Sequence, residues 1–170
     1  VNVSRCDIRE DRDIPGQFSR LIQKYGITPD QLRIEITETA FAENPDLLIS
    51  NTNKLRELGF QVEMDDFGSG YSSLNMVSSL PIDALKLDMS FIRSAFGETR
   101  DVRMIELIID IADYLHVPVV AEGVETEEQY MVLKAMGCDY VQGYYFSKPV
   151  PHETFDRFLA ERSEVKVDFT

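Results

Sequence analysis

The sequence predicts an α/β fold in which repeated strand-helix units build a parallel sheet. Two observations predict this fold: short apolar, β-branched runs alternate with amphipathic helical patterns, and polar turn residues separate them. Strands are expected at residues 1–4, 32–38, 60–67, 84–89, 118–124 and 140–146. Units of this kind join parallel strands through right-handed crossovers, so one sheet with helices packed on it is expected.

Apolar faces and capping residues indicate the helices between the strands. Two faces recur at helical spacing, namely Phe18, Leu21, Ile22 and Tyr25, then Ile105, Ile108, Ala112 and Leu115. Asn44 followed by Pro45 predicts the start of a helix, and Gly59 predicts its end. Thr126 with Gln129 three residues later predicts a capping box at the start of another helix.

The composition describes one globular domain with enough apolar material for a core. Of 170 residues, 44% are hydrophobic and 28% are charged, which excludes a disordered or collagen-like chain. The 17 basic and 30 acidic residues leave a net charge of -13, so no surface for DNA or RNA is expected. An anionic ligand would need cations between itself and this chain. We assign residues 1–161 to the domain and 162–170 to a polar tail.

Cysteine usage and hydropathy bear on location. The two cysteines, Cys6 and Cys138, match neither a disulfide framework nor a zinc motif. Glu106, Asp110 and Asp113 interrupt the best candidate for an apolar membrane span. We therefore expect a cytoplasmic location without membrane contact, either in a soluble protein or in the cytoplasmic part of a larger, membrane-anchored one.

Polar side chains mark the carboxyl end of each predicted strand. They are Asn2, Glu35, Glu38, Asp65, Asp66, Lys86, Asp88, Glu122 and Gln142. In a barrel of parallel strands these ends converge on one face, and that face carries the active site. Lys86 and Asp88 lie two residues apart and therefore share a face. Leu85 and Leu87 then point to the helices. The sequence thus predicts one polar cluster.

The segment 64–73, MDDFGSGYSS, predicts a metal site. Asp65 and Asp66 are adjacent at a strand end, and carboxylates this close raise each other's pKa unless a cation joins them. With Asn2 and Glu35 on neighbouring strands, all the donors are hard oxygens, which Mg²⁺ and Mn²⁺ prefer. Adjacent aspartates also suit a two-metal site for phosphoryl chemistry.

Less specific interpretations stay open for the same residues. Gly68 and Gly70 permit positive φ and let the segment fold over a ligand, but they also fit a plain glycine-rich connection with solvated aspartates. Lys86 needs acidic neighbours inside a barrel, yet such neighbours also suit a purely structural ion pair. Single charged residues at strand ends are often only solvated, and their coincidence on six strands is what favours a site.

Six motifs follow one another in a fixed order. They are 1–4 (VNVS), 34–39 (IEITET), 65–73 (DDFGSGYSS), 85–88 (LKLD), 121–126 (AEGVET) and 141–144 (VQGY). Together they resemble the EAL domain family, whose members hydrolyse cyclic di-GMP. The resemblance implies a (β/α)8 TIM-like barrel of the EAL type. About six βα units are present here, so an N-terminally truncated barrel is expected, with the Glu-Ala-Leu strand before Val1.

The resemblance also implies roles for individual residues. Asn2, Glu35 and Asp65 are implied as ligands of one cation, Asp65 and Asp66 as ligands of a second. Glu122 joins the metal and water network. The implied cofactor is Mg²⁺ or Mn²⁺, with a two-metal site.

Further roles follow from the same resemblance. Lys86 and Glu122 are implied as catalytic residues, Lys86 holding or helping to deprotonate the attacking water. The residues implied to orient water or substrate are Asp88, Glu125 and Gln142. The residues implied to anchor or form the active-site loop are Glu38, Gly68, Gly70 and Ser72.

The function implied is metal-dependent hydrolysis of cyclic di-GMP to linear pGpG in bacterial second-messenger signalling. Since the namesake glutamate is not among these residues, we expect this chain alone to be weakly active or inactive. The implied partners are cyclic di-GMP, a second copy in a homodimer, and fused sensor or GGDEF domains. One alternative is a receptor module that binds cyclic di-GMP without cleaving it, and another is a scaffold or dimer surface.

Overall fold

Six parallel strands form the sheet of this chain in a computed structural model that describes residues 1–68, 79–97 and 101–162. Their bounds are β1 (Asn2–Val3), β2 (Arg33–Thr37), β3 (Gln61–Phe67), β4 (Ala84–Leu87), β5 (Val119–Glu122) and β6 (Tyr140–Gln142). Each strand lies within one predicted run and pairs in parallel with its neighbours. The prediction of a parallel α/β fold with six strands is therefore confirmed.

Helices of the described residues lie between the strands and after the last one. Their bounds are α1 (Ile14–Tyr25), α2 (Glu38–Glu43), α3 (Pro45–Glu57), α4 (Met89–Ala95), α5 (Arg103–Tyr114), α6 (Glu127–Ala135) and α7 (His152–Arg162). A short 3₁₀ turn, Pro29–Gln31, precedes β2. None of the described helices combines the length and the apolar character needed to cross a membrane.

The strand order is that of a barrel wall. The strands lie side by side from β1 to β6 without reversal, whereas the order in a doubly wound sheet reverses at its switch point. In a TIM-like barrel, consecutive βα units are neighbours in this way. The arrangement agrees with the fold class expected from the sequence.

The two faces of the sheet differ in chemistry because side chains alternate along each strand. Ile34, Val62 and Leu87 are fully buried on the outer face, within the core that the helices complete. Burial of each such side chain stabilises the fold by roughly 1.5 to 3 kcal/mol. The inner face carries polar groups, among them Glu63 and Lys86, which are also buried. The sheet therefore separates an apolar core from a polar interior.

Two predicted helix signals are confirmed at the level of hydrogen bonds. The Asn44 side chain accepts a bond from Leu47 N at 3.2 Å where α3 begins. At α6, the Thr126 hydroxyl accepts a bond from Gln129 N at 3.2 Å, and the Gln129 side chain accepts one from Thr126 N at 3.1 Å. Gly59, just after α3, has a φ of 92°. Local capping chemistry thus determines where these helices begin and end.

Several predicted strand ends were too long. Glu38 does not end β2 but opens α2, where it is buried. Met89 belongs to α4, because Asp88 caps that helix and ends the strand. The last strand stops at Gln142, since Phe146 N and Ser147 N both turn back to the Gly143 carbonyl.

The predicted apolar face of α1 was also partly wrong. Leu21 is 45% exposed and Tyr25 is 66% exposed, whereas Ile14 and Ile22 are buried. Phe18 lies between them and contacts the Phe60 ring edge-on at 5.9 Å. The helix packs along a narrow stripe of residues four apart, which leaves the flanking apolar side chains in solvent. The predicted tail lies mostly beyond Arg162, outside the described residues, and stays a prediction.

Candidate active site

The carboxyl ends of the strands bring the predicted polar residues to one end of the sheet. Asn2 of β1 is paired in register with Glu35 of β2, and Glu122 of β5 with Gln142 of β6. Asp65 lies near the carboxyl end of β3. Because the strands are parallel and in chain order, these residues form a row across neighbouring strands. The sequence prediction of one polar edge is therefore correct in its placement.

Lys86 lies at the centre of this edge. Its Nζ is 2.6 Å from Glu35 Oε1, 3.0 Å from Asp65 Oδ1 and 2.8 Å from Glu122 Oε1. The lysine is only 7% exposed, and its neighbours in β4, Leu85 and Leu87, are buried on the other face. Three carboxylates from three strands therefore meet one buried ammonium, which we call the Lys86 cluster.

A bulge in β3 determines where the two adjacent aspartates lie. Met64 pairs with Leu85 and Phe67 with Leu87, so that Asp65 and Asp66 oppose a single residue of β4. Regular alternation would send neighbouring side chains to opposite faces of the sheet. A bulge breaks that alternation and turns a side chain. Asp66 has a φ of 58°, which is rare for a residue with a side chain.

The Lys86 cluster is held together by charge. Burial by itself would lower the pKa of Lys86, but the hydrogen bonds to Glu122 and Glu35 outweigh it. With Asp65 also close, the pKa of Lys86 lies well above its ordinary value. The side chain therefore stays protonated and cannot act as a free base in this arrangement.

Asp66 experiences the opposite balance. Partial burial raises its pKa, and the nearby charges of Asp65 and Asp88 raise it further, while Lys86 lowers it. The net shift is upward. One ammonium thus leaves the acidic edge with an excess of negative charge, as predicted for adjacent aspartates.

Asp88 is held by the start of α4. Its side chain accepts hydrogen bonds from Ser90 N at 2.8 Å and from the Ser90 hydroxyl. Burial would raise the pKa of Asp88, but these bonds and those from the backbone of Phe91 and Met89 lower it overall. One oxygen of this carboxylate is therefore committed to capping the helix.

Glu125 has a partner that sequence reasoning missed. Arg93 of α4 donates to Glu125 Oε1 at 2.5 Å, across the gap between α4 and the segment after β5. Both side chains are partly exposed. Their spacing in the sequence carries no signal of this contact, because it depends on how two βα units pack.

Two glycines permit close packing at the same end. Gly123 has a φ of 71°, and a Cβ there would lie 2.2 Å from Met89 Cγ. A Cβ on Gly143 would lie 2.1 Å from the Val124 carbonyl oxygen. Both glycines directly follow a strand-end polar residue, and this position is the sequence signal that marks them. The absence of a side chain at Gly123 thus lets Met89 of α4 pack against the segment after β5, and its absence at Gly143 lets the chain after β6 approach the Val124 backbone.

The remaining predicted site residues lie in several places. Asn2 and Gln142 belong to the row of strand-end residues. Among the described residues, the ion pairs of Lys86 involve other members of the row. Glu38 is buried at the start of α2. Gly68 has a φ of 96° and packs against the Phe91 ring. Gly70 and Ser72 lie outside the described residues.

The donor chemistry of the cluster fits a hard divalent cation. The Glu35, Asp65 and Glu122 carboxylates are all oxygen donors. Asp65 Oδ1 is buried and, although 3.0 Å from Lys86 Nζ, accepts no hydrogen bond from the part of the chain that the structure describes. In that same part, no three acidic, His or Cys side chains stand close enough to hold an ion as they are. The right donors are present, and an ammonium lies among them.

Comparison with known proteins identifies the relatives of this arrangement. The EAL domain family model matches residues 1–149. The chain is 44% identical over 138 residues to cyclic di-GMP phosphodiesterase NbdA of Pseudomonas aeruginosa, covering 81% of this chain and 18% of that protein. It is 36% identical over 167 residues to oxygen sensor protein DosP of Escherichia coli, covering 98% of this chain and 21% of that protein. The chain thus spans about a fifth of these relatives' length.

Solved structures show the same fold. The PaMucR phosphodiesterase in its c-di-GMP complex has a TM-score of 0.84 at 30% identity, covering 91% of this chain and 62% of that one. BlrP1 of Klebsiella pneumoniae, in a manganese and cy-diGMP complex, has a TM-score of 0.78 at 30% identity, covering 87% of this chain and 38% of that one. The sequence of the present chain, its strand order and the polar edge around Lys86 all agree with the match to the EAL family model. The chain belongs to the EAL domain family.

Proposed function

We propose that this protein hydrolyses cyclic di-GMP to linear pGpG with the help of Mg²⁺ or Mn²⁺ in a two-metal site. The observation that carries the proposal is the Lys86 cluster, in which carboxylates from three strands meet at the carboxyl ends of an EAL sheet. Relatives named cyclic di-GMP phosphodiesterases support the substrate. A net charge of -13 supports a need for cations to mediate contact with phosphate.

The acidic row supplies the residues that would hold the cations. Glu35, Asp65 and Glu122 provide carboxylates within the cluster. Asn2 is paired in register with Glu35, and Asp66 follows Asp65 in β3. Bound divalent cations shield phosphate charge and make water more acidic. Partial burial and the neighbouring charges of Asp65 and Asp88 raise the pKa of Asp66, and a bound cation would offset those charges.

Other residues would orient water and substrate. Lys86, kept protonated by its neighbours, donates hydrogen bonds to the attacking water or to a phosphate oxygen. Glu125, which pairs with Arg93, lies on the segment after β5, and Gln142 lies at the end of β6. Asp88 caps α4 at the same end of the sheet, and we propose that it orients water there.

The active-site loop is the remaining part of the proposal. Gly68 begins the loop at a positive φ, and Glu38 is buried beneath the same end of the sheet. Gly70 and Ser72 are proposed to complete the loop that Glu38 anchors. Phe91, which packs against Gly68, supports a fixed starting point for that loop.

The test is turnover of cyclic di-GMP by the purified protein, with pGpG measured by chromatography. We expect hydrolysis with Mg²⁺ or Mn²⁺ and its loss with a chelator. Lys86→Met removes the activity, while Lys54→Met, on the exposed face of α3, retains it. Tight binding of cyclic di-GMP without any product would favour the receptor alternative. Absence of both binding and turnover would contradict both functions.

The expected weak activity of the chain by itself is tested in the same assay. The 170 residues do not include the tripeptide Glu-Ala-Leu, which names the family. We propose that a version extended at its N-terminus with a Glu-Ala-Leu strand is more active than these residues alone. Equal turnover of the two would contradict that proposal.

The partners are proposals of the same kind. We propose a homodimer, and a fusion to sensor or GGDEF domains in a larger cytoplasmic protein. The relative named an oxygen sensor supports a sensory context, because this chain spans only 21% of it. Two free cysteines agree with a reducing location. Sedimentation velocity of the purified protein tests the dimer.

A further inference from the structure

The Lys86 ammonium occupies the place where the acidic oxygens converge. Its Nζ lies within 3.0 Å of one oxygen each from Glu35, Asp65 and Glu122. The three carboxylates come from β2, β3 and β5, so strand packing holds them around the lysine rather than local sequence. The side chain is 7% exposed, which leaves it little freedom to find other partners.

The same three oxygens are the donors that a hard cation would use. Mg²⁺ binds oxygen at about 2.0 to 2.1 Å and needs the lone pairs that an ammonium otherwise occupies. A positive charge at Lys86 Nζ also repels a divalent cation placed on those oxygens, and burial strengthens that repulsion. Ammonium and metal ion therefore exclude each other from Glu35 Oε1, Asp65 Oδ1 and Glu122 Oε1.

Two observations favour competition over a plain structural ion pair. Asp65 Oδ1 is buried and has a charge contact without a hydrogen bond from any described residue, so the ammonium satisfies this oxygen incompletely. The lysine also leaves the cluster undercompensated, because three carboxylates share its single positive charge. A divalent cation would supply the positive charge that one ammonium does not.

We propose that Lys86 is an internal counter-ion that competes with the divalent cation for these three carboxylates and thereby sets the metal affinity of the site. In the metal-free protein, Lys86 keeps the carboxylates together. When metal binds, Nζ leaves the three oxygens and becomes available to water or substrate. This inference rests on the proposed metal-dependent function and concerns how that site is loaded.

The first experiment measures metal binding without nucleotide. Mn²⁺ is titrated into the metal-free protein by calorimetry, and thermal unfolding is followed at each Mn²⁺ concentration. We expect Lys86→Met to bind Mn²⁺ at least about tenfold more tightly than the wild type, and to melt at a lower temperature without metal. The matched control Lys54→Met, which changes an exposed lysine of α3, should bind as the wild type does.

A second measurement uses the unmodified protein and does not depend on how the variant folds. The amine of Lys86 is acetylated with and without Mn²⁺ at one pH, and the modified peptides are quantified by mass spectrometry. We expect Mn²⁺ to increase acetylation of Lys86 several-fold and to leave that of Lys54 unchanged. If Lys86→Met does not fold even with Mn²⁺, the acetylation of Lys86 in the wild type is by itself the test of the competition.

The outcomes separate the inference from the proposed function. Equal or weaker Mn²⁺ binding by a folded Lys86→Met, or unchanged acetylation of Lys86 at saturating Mn²⁺, overturns the competition and leaves metal-dependent hydrolysis standing. No Mn²⁺ binding by any of the three proteins overturns both. A third outcome is that Lys86→Met binds Mn²⁺ more tightly than the wild type, while the wild type binds Mn²⁺ but does not hydrolyse cyclic di-GMP. That outcome supports the competition and contradicts the hydrolytic function.

Discussion

Aspartates serve opposite purposes at the two ends of this sheet. At the amino end, Asp83 Oδ2 accepts a hydrogen bond from Val62 N, and Asp139 Oδ2 accepts one from Val119 N, each at 2.8 Å. Each of these aspartates immediately precedes a strand. Each accepts its hydrogen bond from a backbone N–H near the start of the previous strand. At the carboxyl end, Asp65 is instead one of three carboxylates that surround the Lys86 ammonium.

The contrast shows that residue type alone does not decide what a strand-end aspartate does. An aspartate that satisfies one backbone N–H adds to stability by the ordinary amount for such a bond. Carboxylates that share a single cation gain less, since each also repels the others. Beside the cluster, partial burial raises the pKa of Asp66, and the nearby charges of Asp65 and Asp88 raise it further. The amino end therefore holds neighbouring strands in register, whereas the carboxyl end gathers three carboxylates around one ammonium.

The sharpest way to break the contrast is to neutralise one aspartate at each end. Asp65→Asn should reduce cyclic di-GMP turnover by about 10³-fold, because it removes a charge from the Lys86 cluster. Its melting temperature should stay close to that of the wild type. Asp83→Asn should keep turnover per folded molecule. Steady-state kinetics and thermal melts check both, and a reversal of the two results would contradict the division between the ends.

A second prediction concerns close packing at the carboxyl end. Gly123→Ala should destabilise the protein by about 2 to 4 kcal/mol, since the new Cβ meets Met89 and the backbone has a φ of 71°. Gly137→Ala is the matched control, because its φ is 82° but nothing lies within 4 Å of the added Cβ. It should lose only about 1 kcal/mol. Urea unfolding measures both, and equal losses would show that Met89 yields without penalty.

A third prediction tests the amino end by itself. Asp139→Ala should cost about 1 to 2 kcal/mol of unfolding free energy, because Val119 N loses its acceptor. Asp139→Asn keeps an acceptor oxygen and should recover most of that loss. Turnover per folded molecule should be the same in both variants. Reduced turnover in fully folded Asp139→Ala would contradict a purely structural role for this residue.

The smallest predicted effect is a pH dependence at the start of α4. The pKa of Asp88 is lowered in the folded protein, so its contribution to stability is complete above the ordinary aspartate pKa of about 3.9 and is lost as pH falls through the folded value. Asp88→Asn caps the helix without titrating. Chemical unfolding at several acidic pH values should show the wild type losing stability faster than the variant. Parallel curves would contradict this linkage.

Much of the site could be predicted because it follows from strand ends. Alternation within LKLD correctly placed Lys86 on the inner face and Leu85 and Leu87 in the core. The hard-oxygen donors around Lys86 were expected from parallel strands whose ends converge. The Arg93 contact with Glu125 could not be predicted, since it joins two units through packing. Exact strand ends were missed for Glu38 and Met89, where capping competes with extension.

The sequence by itself determined the alternation of strands and helices, the family, and which residue types gather at one edge. Those properties depend on local hydrophobic period, turn chemistry and order along the chain. Only the tertiary structure decided that Asp65 and Asp66 escape strict alternation, through a bulge that opposes them to one residue of β4. It alone placed three carboxylates within 3.0 Å of Lys86. Register and charge balance arise between strands, so no single segment contains them.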